Sequence, residues 1–308
     1  MTERPAGPIY AELQVTTHFS FLRGASSPQE LFEQAKLLGI SALGITDRNS
    51  LAGIVRAYEA SRDTGVRLVV GCRLDLMDGT SLLVYPTNRA AYSRLCRLLS
   101  LGKSRGGKGQ CHLMWDDVVA WNEGLLAALL GDHADDRLRA NLARLKQTFG
   151  NRAYMALIRR FAPNEHLRLY AIEQAAQAAR VPTIAMGDVL YHHPDRRRLQ
   201  DVVSCIREGC TIDEAGYRLE RHADRYLKDR LEMERLFERH PEAFRRVREI
   251  LDRCTFSLDE LRYQYPSETD PGETAQEKLE RLTWEGARKR IRTVFPMRSP
   301  RPAAMSCV

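Results

Sequence analysis

The chain has 308 residues, 44% of them hydrophobic and 28% charged, with a formal net charge of +7, which is enough for one large core or two domains. No apolar run approaches the roughly 18 residues of a membrane span, and the first residues lack the apolar stretch of a signal peptide, so a cytosolic location is expected. The seven cysteines form no Cys-x-x-Cys pair, which supports neither a disulfide framework nor a zinc finger, and the basic balance suits a polyanion, nucleic acid first among them.

Residues 1–8 are expected to be disordered. Residues 9–15 read as a strand that ends in a polar, Gly-containing loop before a helix over Pro28–Leu38. Ala42–Thr46 is a short buried strand ending at Asp47, with a helix across Leu51–Thr64. Val66–Gly71 and Ser81–Tyr85 are further strands, and Ala90–Leu101 is a helix. The strands Leu125–Leu130 and Tyr154–Ile158 enclose a helix over Asp135–Thr148. His166–Arg180 is an alanine-rich helix, and Pro182–Met186 a strand ending at Gly187-Asp188. Repeated strand–helix units with uninterrupted apolar strands argue for an α/β fold with a parallel sheet covered by helices. Seven such strands favour a barrel over an open sheet. Beyond Asp195 the pattern becomes charged and helical over 195–208, 224–239 and 241–254, followed by an aromatic extended segment, Leu261–Pro266, and an amphipathic helix over Glu273–Arg290. From Ile291 the sequence holds three prolines and no acidic residue, and is expected to be disordered. The barrel with its helices is assigned to 9–265, a connection to 266–290 and the tail to 291–308.

Chemistry in such folds sits in the loops after the strands. Here those loops carry Arg23, Asp47, Arg48, Arg73, Asp75, Asp188 and the pair His192–His193, with His18 near the first. A hydrolytic metal site needs converging His and carboxylate ligands. Arginine stays protonated and repels a metal ion. No glycine fingerprint for a dinucleotide or nucleoside triphosphate follows any strand. Lys103, Arg105 and Lys108 lie in a flexible basic loop suited to DNA phosphates.

Several ordered blocks resemble one family. Tyr10-Ala-Glu-Leu, Phe19-Ser-Phe-Leu-Arg-Gly-Ala-Ser26, Ala42-Leu-Gly-Ile-Thr-Asp-Arg-Asn-Ser-Leu-Ala-Gly-Ile-Val55, Leu68-Val-Val-Gly-Cys-Arg-Leu-Asp75 and Phe256-Ser-Leu-Asp-Glu-Leu-Arg-Tyr-Gln-Tyr-Pro266 are similar to the opening of the bacterial error-prone DNA polymerases, damage-induced relatives of the replicative polymerase III alpha subunit. The resemblance implies a PHP (polymerase and histidinol phosphatase) domain, a distorted (β/α)7 barrel followed by a helical segment. In metal-binding relatives a set of His, Asp and Glu ligands holds ions for phosphoester hydrolysis. The corresponding positions are Glu12, Gln14, Arg23, Arg48, Arg73, Ser81, Arg159 or Arg160, Asp188 and Leu190, of which Asp188 alone keeps the family residue. A degenerate site without metal follows as the expectation, with Glu12, Asp47 and Asp188 neutralised by arginines.

The resemblance further implies a role in translesion synthesis and damage-induced mutagenesis. Its partners would be DNA, the polymerase core and mutagenesis accessory proteins, with no membrane. The nucleotidyl-transfer palm and its Mg ions belong to a region absent from this chain, so no cofactor is expected here, and the break at Ile291 suggests a frameshifted or truncated end. A free-standing metal-dependent PHP phosphoesterase and a stand-alone nucleic-acid-binding module are the alternatives.

Overall fold

The structure is a computed structural model that describes residues 10–261, 269–270 and 272–290. The expectations for residues 1–8, 262–266 and 291–308 lie outside the described residues. The chain divides into two units, Met1–Leu261 and Arg262–Val308.

In the first unit, β1 (Ala11–Val15), β2 (Ala42–Ile45) and β3 (Arg67–Val70) form a parallel sheet in that order. β4 (Cys72–Asp75), β5 (Ser81–Pro86), β6 (Leu125–Leu130), β7 (Ala153–Ile158) and β8 (Thr183–Met186) form a second sheet, also in chain order. Only Gly71 separates β3 from β4. A side chain there would meet the Thr46 methyl and the Tyr85 ring at 2.9 Å, so the close crossing demands glycine. Taking β3 and β4 as one run that changes partners at Gly71 leaves the seven strands read from the sequence.

The two sheets join at both edges. Val15 bridges Val189 just past β8, through Thr16 N–H to Val189 O at 2.9 Å and Val189 N–H to Gln14 O at 2.9 Å. Arg48 bridges Arg73, through Arg73 N–H to Asp47 O at 3.0 Å and Asn49 N–H to Arg73 O at 2.7 Å. The result is a distorted barrel. The expectation of a wholly parallel sheet fails at β5, which is antiparallel to both β4 and β6. A tight turn, with Leu76 N–H on Thr80 O at 2.9 Å, links β4 to β5. Two strands joined by so short a turn must run antiparallel, because a parallel crossover needs about a dozen residues.

The strands read as unbroken apolar runs because both faces are buried. Leu13, Ala42, Val69, Tyr85, Leu126 and Tyr154, from both sheets, meet in one interior cluster. Intervening residues such as Ala127 and Leu129 face the helices. These helices are α1 (Pro28–Leu38), α2 (Ile54–Thr64), α3 (Arg89–Arg105), α4 (Trp115–Trp121), α5 (Asp136–Phe149) and α6 (Glu165–Ala178). Ser27 and Glu30 cap the start of α1 reciprocally, and Gly39 ends it in the left-handed region at φ 70°. α3 runs past its expected end at Leu101 to Arg105, and α4 was not anticipated.

Beyond the barrel come α7 (Arg197–Glu208), α8 (Arg230–Leu236), α9 (Pro241–Arg245) and α10 (Val247–Arg253). Val247, Ile250 and Leu251 of α10 join the interior cluster. The helix expected over 224–239 is shorter than its pattern. The stretch before α8 is extended, with Tyr226 bridging Tyr191 and Arg225 O accepting from Leu190 N–H at 2.8 Å. Pairing with the barrel overrides local helix propensity there. In the second unit α11 (Ala275–Arg290) buries none of its residues, and Arg281 pairs with Asp270 at 2.8 Å and Glu273 at 2.9 Å.

Candidate arginine–carboxylate site

At the end of β8 the chain turns through Asp188 at φ 52°, which carries its carboxylate into the barrel mouth. Asp188 is 3% exposed. Gln14 Nε2 donates to Oδ1 at 2.7 Å, while Arg160 and Arg225 hold Oδ2 at 2.6 and 2.7 Å. Burial opposes the charged form, but Arg225 and Arg160 outweigh it and hold the carboxyl well below the usual range. Each arginine has a second carboxylate, Asp132 for Arg160 at 2.9 Å and Glu220 for Arg225 at 2.6 Å. Between the two arginine positions left open after β7, Arg160 reaches Asp188. Arg159 turns away, donating to Leu236 O at 3.1 Å. Leu190 supplies backbone bonds and an apolar contact with Ala25 and Tyr191.

A second centre forms on β4. Asp75 receives Arg48 at 3.0 Å, Arg73 at 2.7 Å and the Ser81 hydroxyl at 2.6 Å, and Arg73 also donates to Ser81 Oγ at 3.2 Å. Burial raises the Asp75 pKa, yet Arg73 and Arg48 outweigh that and lower it. Arg48 itself falls to about 10, through burial and then the neighbouring Arg73. Arg23 stands beside this centre on the loop after β1. Gln200 holds its carbonyl at 2.9 Å, and Arg207 holds Leu22 O at 2.9 Å. Gly24 makes the loop possible, since a side chain there would lie 2.4 Å from Thr17 O. The Arg23 guanidinium is half-buried and has no hydrogen bond or ion pair among the described residues. Burial and then Arg207 lower its pKa.

Glu12 and Asp47 correct an expectation, because among the described residues no guanidinium pairs with either. Glu12 accepts from Tyr10 OH at 3.1 Å and from the N–H groups of Gln14 at 2.9 Å and Gly187 at 3.1 Å. Asp47 accepts from Thr17 N–H and hydroxyl, both at 2.8 Å, and from the Ser20 hydroxyl at 2.7 Å. Uncharged donors satisfy both carboxylates, and burial raises both pKa values.

The basic residues expected in one flexible loop divide in the structure. Lys103 and Arg105 sit on the last turn of α3, and Arg105 pairs with Asp117 at 2.5 Å. Lys108 is exposed in the following loop. Lys103 borders a cleft of about 720 Å³ together with Arg23, Arg48 and Asp75. His192 bonds Ser26 Oγ at 2.8 Å, His193 lies 3.3 Å from Asp195, and His18 stacks on Phe19. Among the described residues no group of three or more His, Cys, Asp or Glu converges as metal ligands. The Asp188 oxygens are already taken by the Gln14 amide and two guanidinium groups and those of Asp75 by two guanidinium groups, so these residues do not fit a metal ion.

Arg225 was missed from the sequence. It lies in a stretch that reads as helix and meets Asp188 only through the pairing with Leu190. Asn49, whose side chain accepts from Asp75 N–H at 3.0 Å, carried no separate signal.

The sequence model of the PHP domain family matches residues 12–162. The chain is 63% identical over 292 residues to error-prone DNA polymerase 1 of Agrobacterium fabrum, covering 94% of this chain and 27% of that protein. It is 60% identical over 288 residues to error-prone DNA polymerase 2 of Rhizobium meliloti, covering 93% of this chain and 26% of that protein. The chain therefore spans about a quarter of the length of these relatives. Among solved structures, an amidohydrolase from Chromobacterium violaceum is similar at a TM-score of 0.46 and 13% identity, over 58% of this chain and 87% of that one.

Proposed function

For a chain that carries a PHP domain shared with error-prone DNA polymerases, we propose the role of a non-hydrolytic module of a DNA polymerase that works in translesion synthesis and damage-induced mutagenesis. Its DNA, its polymerase core and any accessory partners belong to this reading. The observation that carries the non-hydrolytic part is the double occupation of Asp188 and Asp75 by arginine pairs. Where a hydrolytic barrel needs electron-pair donors around a cation, this one presents fixed cations around carboxylates. The positive charge a metal would supply is thus built into the chain, but without a site to activate water. The arrangement counts against a free-standing phosphoesterase.

Two measurements test the reading. The purified chain, dialysed against Zn²⁺ or Mn²⁺ and then against buffer, should retain far less than one ion per chain. Stoichiometric metal with phosphoesterase turnover overturns the non-hydrolytic assignment. Exchanging this chain for the matching segment of the Agrobacterium fabrum relative should preserve DNA synthesis by that polymerase. Loss of synthesis with the chimera folded overturns the polymerase assignment.

A further inference from the structure

We propose that the cleft beside Asp75 is a phosphate-binding site, with Arg23, Arg48 and Lys103 as the cationic groups, and that its ligand is the phosphate of a nucleotide. The inference rests on the metal-free reading of the barrel mouth. Four cations, Arg23, Arg48, Arg73 and Lys103, stand at this end of the barrel against one carboxylate, Asp75, which Arg48 and Arg73 already share. The other carboxylates that act on Arg23 and Arg48 are engaged elsewhere: Glu208 holds Arg207 at 3.0 Å, and Asp188 holds Arg160 and Arg225. Arg23 is left as a half-buried guanidinium with no partner among the described residues, and Lys103 likewise has none.

A guanidinium removed from water without an anion is costly, because burial penalises an unpaired charge. The backbone of its loop is nevertheless held by two contacts, Gln200 on Arg23 O and Arg207 on Leu22 O. A half-buried, unsatisfied guanidinium on a loop whose backbone is held is a receptor for an anion, and arginine presents donors that match phosphate oxygens two at a time. Burial and Arg73 together lower the Arg48 pKa, so a bound dianion would relieve the same crowding.

The shape and the remaining walls narrow the ligand class. The cleft, about 720 Å³, falls within the range of small-ligand sites. Phe19 and Phe21 form one side, and Phe21 is 83% exposed, an aromatic face open to a base. Gly107 and Gly109 also line the cleft. Cations and aromatic rings lining one cleft suit a nucleotide, either free or at the end of a strand.

Calorimetric titration of the chain at low salt in the presence of EDTA tests the site, with adenosine 5′-monophosphate as ligand and adenosine as control. Binding of the monophosphate and not of adenosine is expected, weakened at least about tenfold in Arg23→Gln by loss of a charge-assisted bond. Lys103→Ala should weaken it less, and Arg105→Ala, whose side chain is tied to Asp117, should leave it unchanged. Neither Arg23 nor Lys103 supports another side chain, so thermal unfolding of both variants should match the parent chain. No binding in EDTA, or equal binding by Arg23→Gln, overturns the site and leaves the metal-free reading intact. Binding that appears only with added Mn²⁺ overturns both. A 5′-phosphorylated oligonucleotide that displaces the monophosphate identifies a strand end as the source of the phosphate, and one that fails to displace it identifies the free nucleotide.

Discussion

Replacing Asp188 by Asn tests whether the arginine pair around it holds the barrel. The wild-type carboxylate accepts hydrogen bonds from Gln14 and Arg160 and pairs with Arg225 while nearly fully buried. Hydrogen bonds to a charged group contribute about 1.5–3 kcal/mol each net of exchange with water. Removing one partner of a buried pair costs about 3–5 kcal/mol, because the other charge is left uncompensated. The lower end applies here, since Arg160 keeps Asp132 and Arg225 keeps Glu220. At a urea slope of about 3 kcal/mol per molar, a loss of about 3 kcal/mol moves the unfolding midpoint down by about 1 M at pH 7. The loss should also depend on pH. Asp188 is depressed in the folded state, so its contribution is present above the unfolded value of about 3.9 and fades as pH falls below it. Wild type and Asp188→Asn should therefore converge toward pH 2. A loss under about 1 kcal/mol at pH 7, or a difference that does not change with pH, refutes the claim that the charge on Asp188 is structural.

Glu12→Gln should behave in the opposite sense. Burial raises the Glu12 pKa, so the wild type loses stability as pH rises above the unfolded value of about 4.3, and the deficit of the variant should shrink between pH 4 and 7 in the same urea assay. Gly24→Ala would place a methyl 2.4 Å from Thr17 O, and the strain, of about 1–3 kcal/mol, should lower the melting temperature and displace the loop that carries Arg23. Ser27→Ala removes one half of the cap on α1 and should cost about 1 kcal/mol by urea unfolding, with the barrel otherwise intact.

The strands were legible because each is buried on both faces, so the apolar runs announced themselves without periodicity. β4 was not, because Gly71 reads as the end of β3 and because Cys72-Arg-Leu-Asp75 alternates apolar with charged residues. Arg48, Arg73 and Asp188 were found from their places after strands. Their pairing was not, since it depends on which strands neighbour one another. Asp47 shows the limit plainly. Its nearest donors, Thr17 and Ser20, lie in another loop thirty or so residues earlier, and nothing local distinguishes them from ordinary hydroxyl residues.

The barrel is two leaves, of three and five strands, continuous through Gly71 and meeting along two seams that each show a single bridge among the described residues. β5 and β6, by comparison, are paired through six residue positions. At one seam Gln14 on β1 grips Asp188 past β8, and at the other Arg48 past β2 grips Asp75 on β4. The charged groups thus act as clasps where the backbone lacing is thinnest. Acid, by protonating the aspartates, unfastens both clasps, so the ring should part along its seams and hinge open at Gly71 before either plate frays.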